Sequence, residues 1–153
     1  MRTSGILNHI SSLPSPYGIG TMGKEARRFV KFLKCASQTY WQILPVNPTS
    51  YGDSPYQSFS SYAGNPYFID PDELCKEGLL TKKECRSYDW GEDEEAVDYG
   101  LLYENRFDLL HKAYDRFMEK QPEDFDGFCK ENKAWLDDYA LFMALKNANH
   151  GAA

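Results

Sequence analysis

Two short apolar runs flank one helical pattern near the start of the chain, and that order leaves few folds open. Ser4 to Ile10 reads SGILNHI, short and apolar, in the manner of a buried strand. Tyr40 to Pro45, YWQILP, is the next strand candidate. Between them, KEARRFVKFLKCAS puts Ala26, Phe29, Val30, Leu33 and Ala36 on one helical face, with Arg27, Lys31 and Lys34 elsewhere. Cys35 falls on the apolar face as well. Strand, helix and strand within about 40 residues make a βαβ unit, because two parallel strands need a crossover of that size. The expectation is an α/β start: two parallel strands with the helix on one face.

Helical signals dominate after about residue 70. In DPDELCKEGLL, Asp70 is placed to cap a helix, Pro71 to open it, Glu73 to return the cap and Gly78 to stop it. Thr81 to Glu84, TKKE, is a second capping box opening a short helix. Tyr103, Phe107, Leu110, Tyr114 and Phe117 recur at steps of four and three, an apolar seam on a helix of about twenty residues. PEDFDGFCKEN reads as a short helix from Pro122. AWLDDYALFMALKNAN reads as another, with Leu136, Tyr139, Ala140 and Met143 on one face. The chain thus divides into residues 1–70 and residues 71–153. A two-stranded parallel sheet needs cover on both faces and both edges. No closing element follows KNANHGAA, so the expectation is the front end of something longer.

Charge and cysteine usage remove several classes of function. The 17 basic and 23 acidic residues give a net charge of -6, without the basic stripe of a nucleic-acid binder. The acids gather in DWGEDEEAVD, Asp89 to Asp98, a solvated surface loop. Cys35, Cys75, Cys85 and Cys129 form no C-x-x-C pair and have no His at zinc-finger spacing. They read as reduced thiols of a cytoplasmic protein. The residues after Met1 hold no long apolar signal region, and no run approaches the 18 apolar residues of a membrane helix.

Three motifs bear on chemistry. Gly18-Ile-Gly20-Thr-Met-Gly23 matches G-x-G-x-x-G before a helix. A dinucleotide site wants those glycines at the strand end and an acid closing the second strand. Here Pro14 and Pro16 intervene, and the second strand ends in Leu44-Pro45-Val46-Asn47. Glycines that turn the chain tightly into the helix are the better reading. His9, at a strand end, fits either a satisfied structural role or a catalytic one. The three histidines, His9, His111 and His150, lie too far apart in sequence to support a metal site, and no cofactor is implied.

The third motif lies in SYGDSPYQSFSSYAGNPY, Ser50 to Tyr67, which carries five rings in a stretch unsuited to a helix or long strand. It follows the second strand, where the mouth of a βα architecture gathers ligand sites. Sugars offer flat C–H faces and a rim of hydroxyls. Tyr51 and Tyr56 could cover such faces, while Asp53, Ser54 and Gln57 hydrogen-bond the rim. A tyrosine-rich loop packed on its own scaffold is the competing reading.

SGILNHISSLPSPYGIG, followed by YWQILPVNPTSYGDSPYQSFSSYAGNPYFID, resembles the amino-terminal region of the 4-α-glucanotransferases, or amylomaltases. The resemblance continues through EARRFVKFLKCASQTYWQ and, more loosely, VDYGLLYENRFDLL and DDYALFMALKNANHG. It implies the amino-terminal part of a (β/α)8 TIM barrel, its first βαβ unit and long βα loop at residues 47–69, followed by a mainly helical inserted subdomain. It implies retaining transfer of α-1,4-glucan segments between maltooligosaccharides through an Asp nucleophile, a Glu acid–base and a second Asp. Those carboxylates belong to later strands, so the resemblance assigns no catalytic residue here and predicts that the chain alone is inactive. It places Ser54 and Tyr56 on the donor-glucan cleft, Asp53 and Gln57 in support, and Tyr51 with Tyr99 on a second glucan-contacting surface. His9-Ile10-Ser11-Ser12 and Asn47 depart locally from the family pattern. The implied partners are α-1,4-glucans, without metal, cofactor, nucleic acid or membrane, and the oligomeric state stays open. The rival reading is a stand-alone glucan-binding or interaction module, with the helical half covering the short sheet.

Overall fold

The computed structural model describes residues 2–93, 95–120 and 122–149. His150, named above, lies outside them, as does Glu94 within the Asp89 to Asp98 run. Strand β1, Gly5–Leu7, leads through helix α1, Lys24–Cys35, to strand β2, Tyr40–Gln42. The strands pair in parallel, Gly5 opposite Tyr40 and Leu7 opposite Gln42. The βαβ unit is therefore present in order and direction.

Its strands are shorter and barer than the sequence suggests. Of SGILNHI, only residues 5–7 pair, and Ile6 and Leu7 stand exposed rather than buried. A strand is buried only where something covers its faces, and the cover here is partial. On α1, Leu33 is buried and Ala26 and Phe29 are packed against the core, the Phe29 ring 4.9 Å from Trp41. Val30, Cys35 and Ala36 are exposed, so the apolar stripe is only half used.

Ile10 leaves the strand into a 3-10 turn, Ile10–Ser12, and enters the core. That core joins Ile10, Leu13, Ile19, Tyr67, Phe68 and Leu102, from both sides of residue 70. The glycine motif serves close backbone approach. A Cβ on Gly20 would lie 1.9 Å from the Ile10 carbonyl oxygen, and one on Gly23 would lie 1.5 Å from the Asp70 carboxylate.

Helix α2, Pro71–Lys76, opens as expected: Asp70 Oδ1 accepts from the Asp72 and Glu73 amides at 2.8 and 3.3 Å. Glu73 does not return the cap. Its carboxylate is drawn instead to Arg27 and to Lys76 Nζ, the latter at 2.9 Å. Gly78 ends the segment with φ +75°. Helix α3, Lys82–Cys85, carries the full Thr81–Glu84 capping box.

Helix α4, Tyr99–Glu119, is 21 residues long and is capped by Asp98. Its buried face differs from the expected seam. Leu102, Arg106, Leu109 and Ala113 point inward, whereas Tyr103 and Tyr114 are exposed and Phe107, Leu110 and Phe117 are only half-buried. The true stripe lies one residue over and turns on a charge. Arg106, 0% exposed, donates through its guanidinium to the carbonyls of Tyr17 at 3.0 Å and Ile69 at 3.3 Å. It also lies 5.0 Å from the centre of the Trp90 ring. Burial pulls its pKa down to about 10, which leaves it protonated at neutral pH.

Helix α5, Glu123–Ala148, runs unbroken for 26 residues and corrects the expectation of two helices. Gly127 costs about 1 kcal/mol relative to alanine, but nothing between residues 127 and 140 removes a backbone donor or caps an end. Pro122 stands at the N-cap position, one residue outside the helix. None of the helix is fully buried; Leu136, Tyr139 and Met143 are half-buried and Ala140 is exposed.

Candidate functional site

The 47–69 loop leaves the carboxyl end of β2 and closes on itself. Asn47 Nδ2 donates to the Ala63 carbonyl at 3.0 Å, and the Asn65 amide to the Val46 carbonyl at 2.8 Å. Inside that neck, Thr49 and Ser58 form an antiparallel bridge, and the Ser50 amide reaches the Gln57 carbonyl at 3.0 Å. The tip reverses at Gly52 and Asp53, with φ of +85° and +53°. Glycine occupies that region freely and Asp is among the few other residues that tolerate it. The reversal throws Tyr51 outward at 97% exposure and Tyr56 at 75%.

The remaining expected residues fall into two groups. Ser54 and Gln57 shape the loop: the Tyr56 amide donates to Ser54 Oγ at 3.3 Å, and the Gln57 amide to the Ser54 carbonyl at 3.1 Å. The Gln57 side chain is exposed. Asp53 and Tyr99 instead meet behind the loop, at a cavity of about 120 Å³ that His9, Asn65, Tyr67 and Phe68 also line. Asp53 Oδ1 accepts from the Thr49 hydroxyl at 3.0 Å. Burial, reinforced by the Asp53 charge, pushes the Tyr67 phenol up to about 12 and raises that of Tyr99. Both phenols therefore keep their protons. Tyr51 and Tyr56 do not join this cavity; they face open solvent.

His9 is structurally engaged. Its Nδ1 accepts from the Leu44 amide at 3.2 Å, and its ring meets Phe68 edge-on at 5.3 Å. Burial lowers its pKa, which favours the neutral ring. With Nδ1 accepting, the proton of that neutral ring sits on Nε2.

The sequence reading missed where the other loop rings go. Tyr62 stacks on Trp135 of α5 with centroids 5.8 Å apart and planes 15° from parallel. Phe59 lies 5.9 Å from Phe142 on the same helix. Tyr67 is buried against Phe107 of α4. Trp135, Tyr139 and Phe142 recur at steps of four and three, and that spacing is the signal that α5 offers the loop an aromatic face. Among the described residues, no helix is long and apolar enough to cross a membrane.

The fold and this loop define a class with solved members. An amylomaltase from Streptococcus agalactiae, solved in complex with acarbose, superposes with a TM-score of 0.94 at 46% identity, covering 100% of this chain and 31% of that one. The family model described as 4-alpha-glucanotransferase, glycoside hydrolase family 77, matches residues 8–153, and the chain belongs to that family. A 4-alpha-glucanotransferase of Clostridium butyricum is 54% identical over 138 residues, 90% of this chain and 28% of the relative. One from Thermus thermophilus is 51% identical over 154 residues, 98% of this chain and 30% of the relative. The chain thus spans about three-tenths of the length of the relatives it matches.

Proposed function

We propose that this chain forms part of a 4-α-glucanotransferase and supplies one wall of its glucan site. In this reading residues 1–70 begin the (β/α)8 barrel and residues 71–153 form a helical insertion against it. The observation that carries the proposal is the closed 47–69 loop. It presents Tyr51 and Tyr56 to solvent on a hydrogen-bonded frame at the carboxyl end of β2. Such rings can cover sugar C–H faces without first being freed from a core. Tyr56 with Ser54 would meet the donor glucan, with Asp53 and Gln57 holding the loop. Tyr51 would form a second glucan contact; Tyr99, expected to join it, lines the cavity with Asp53 instead.

No acid of the loop suits the nucleophile. Retaining transfer needs two carboxyl groups about 5 Å apart across the scissile bond. Asp53 is the only acid in residues 47–69, and it bonds Thr49 in a tight turn behind the loop. The chain by itself is therefore expected to bind maltooligosaccharides but not to disproportionate them. Titration with maltoheptaose should show weaker binding for Tyr56→Ala, by about tenfold for a lost stacking and hydrogen-bonding side chain. Unchanged affinity in both Tyr56→Ala and Tyr51→Ala would remove the loop from the glucan site. Incubation with maltotriose should yield no glucose or longer products from this chain alone.

A further inference from the structure

Cys75 on α2 and Cys85 at the end of α3 bring their sulfur atoms to 3.6 Å. All four cysteines are free thiols, and this is the only cysteine pair within hydrogen-bonding reach among the described residues. The two members differ in access. Cys85 is 0% exposed, packed with Tyr17, Leu80, Leu109 and Ala113, whereas Cys75 is half-buried at the edge of that cluster. A reachable thiol backed by a buried one is the arrangement in which oxidation of the first is resolved by the second.

We propose that Cys75 and Cys85 are a reversible thiol–disulfide pair, oxidised by hydroperoxides, that staples α2 to α3. The inference is independent of the glucan reading. The Cys75 sulfur attacks one oxygen of hydrogen peroxide: the S–O bond forms, the O–O bond breaks, and the departing hydroxyl takes up the Cys75 thiol proton and leaves as water. The Cys85 sulfur then attacks the Cys75 sulfenic acid. The S–O bond breaks, the S–S bond forms, and the hydroxyl leaves with the Cys85 proton as a second water. Two thiols are oxidised and one peroxide is reduced. Burial, then the Cys75 neighbour, push the Cys85 thiol up to about 12, so it does not make the first attack. A disulfide of about 2.05 Å requires the sulfurs to close by about 1.5 Å.

The test is treatment of the full chain with one equivalent of hydrogen peroxide, followed by thiol titration and peptide mapping. The titre should fall from four thiols by about two, with one linked peptide, Cys75 to Cys85, that dithiothreitol cleaves. The oxidised protein should melt at a higher temperature than the reduced one. Cys75→Ser, at the less buried position, should abolish the link, and Cys35→Ser should leave it intact. Accumulation of sulfinic acid on Cys75 while Cys85 keeps its thiol would overturn the proposal. Prior linkage through Cys35 or Cys129 would do the same.

Discussion

Helices α4 and α5 are the two longest elements, yet they hold their places by different means. α4 buries four residues and drives a guanidinium into the interior to hold two loop carbonyls. α5, five residues longer, has no fully buried residue, and it meets the loop through ring faces at Trp135 and Phe142. Length and apolar content therefore do not decide which helix organises this molecule. α4 adds to its three buried apolar residues a guanidinium that gives partners to two carbonyls of other segments, although its own Nε is buried without one. The segments of Tyr17 and Ile69 also pack on α4 through apolar side chains, Tyr17 against Leu109 and Ala113 and Phe68 against Leu102, and Arg106 adds polar ties to that packing.

The sharpest way to break this contrast is Arg106→Ala. It strands two carbonyls, removes two charge-assisted hydrogen bonds and leaves a cavity, at a cost of about 3–5 kcal/mol. Urea denaturation should show that loss, while Leu145→Ala on the exposed face of α5 should stay within about 0.5 kcal/mol. Equal losses at the two positions would erase the distinction.

Trp135→Ala tests the other side. Loss of the Tyr62 stack should cost about 1 kcal/mol and should raise proteolytic cutting within residues 50–64 more than elsewhere. Uniform cutting would mean that α5 does not steady the loop.

The smallest effect concerns Glu84, which ties α3 to α4. Hydrogen bonds from Arg116, then from Thr81, hold its carboxyl down to about 2. A folded-state pKa below the ordinary carboxylate value contributes stability at neutral pH that is lost as pH falls toward about 2. Melting temperatures of the wild type and Glu84→Gln should converge as pH drops from about 5 to 2, where protonation makes the side chains alike. A gap that persists undiminished at low pH would assign the effect to something other than that charge.

These contrasts also mark what the sequence could reveal. The βαβ order, the Asp70 and Thr81 caps and the Gly78 stop were readable because each depends on neighbours a few positions away. The burial of α4 was not. Tyr103, Phe107, Leu110, Tyr114 and Phe117 make the stronger apolar pattern, and no local rule turns a helix so that an arginine faces inward. The reason for that turn lies at Tyr17, 89 positions away. The single α5 helix escaped for the opposite reason: two amphipathic stretches in different phase look like two helices unless a stop signal is demanded between them. The loop was legible as an irregular, ring-rich segment following the second strand. The division of its rings was hidden, because Tyr51 and Tyr56 differ from Phe59 and Tyr62 only in whether α5 lies beneath them.

Asp70 has a consequence for how the molecule comes apart. One of its carboxylate oxygens caps α2 and the other accepts the Thr21 hydroxyl at 2.7 Å, two residues before the Gly23 cap of α1. The positive ends of two helices thus converge on one side chain, in a space that admits no Cβ on Gly23. Asp70 caps α2 directly and holds the approach to α1 through Thr21. It thus adds one more tie between the two regions, beside their shared core and the Arg27–Glu73 ion pair.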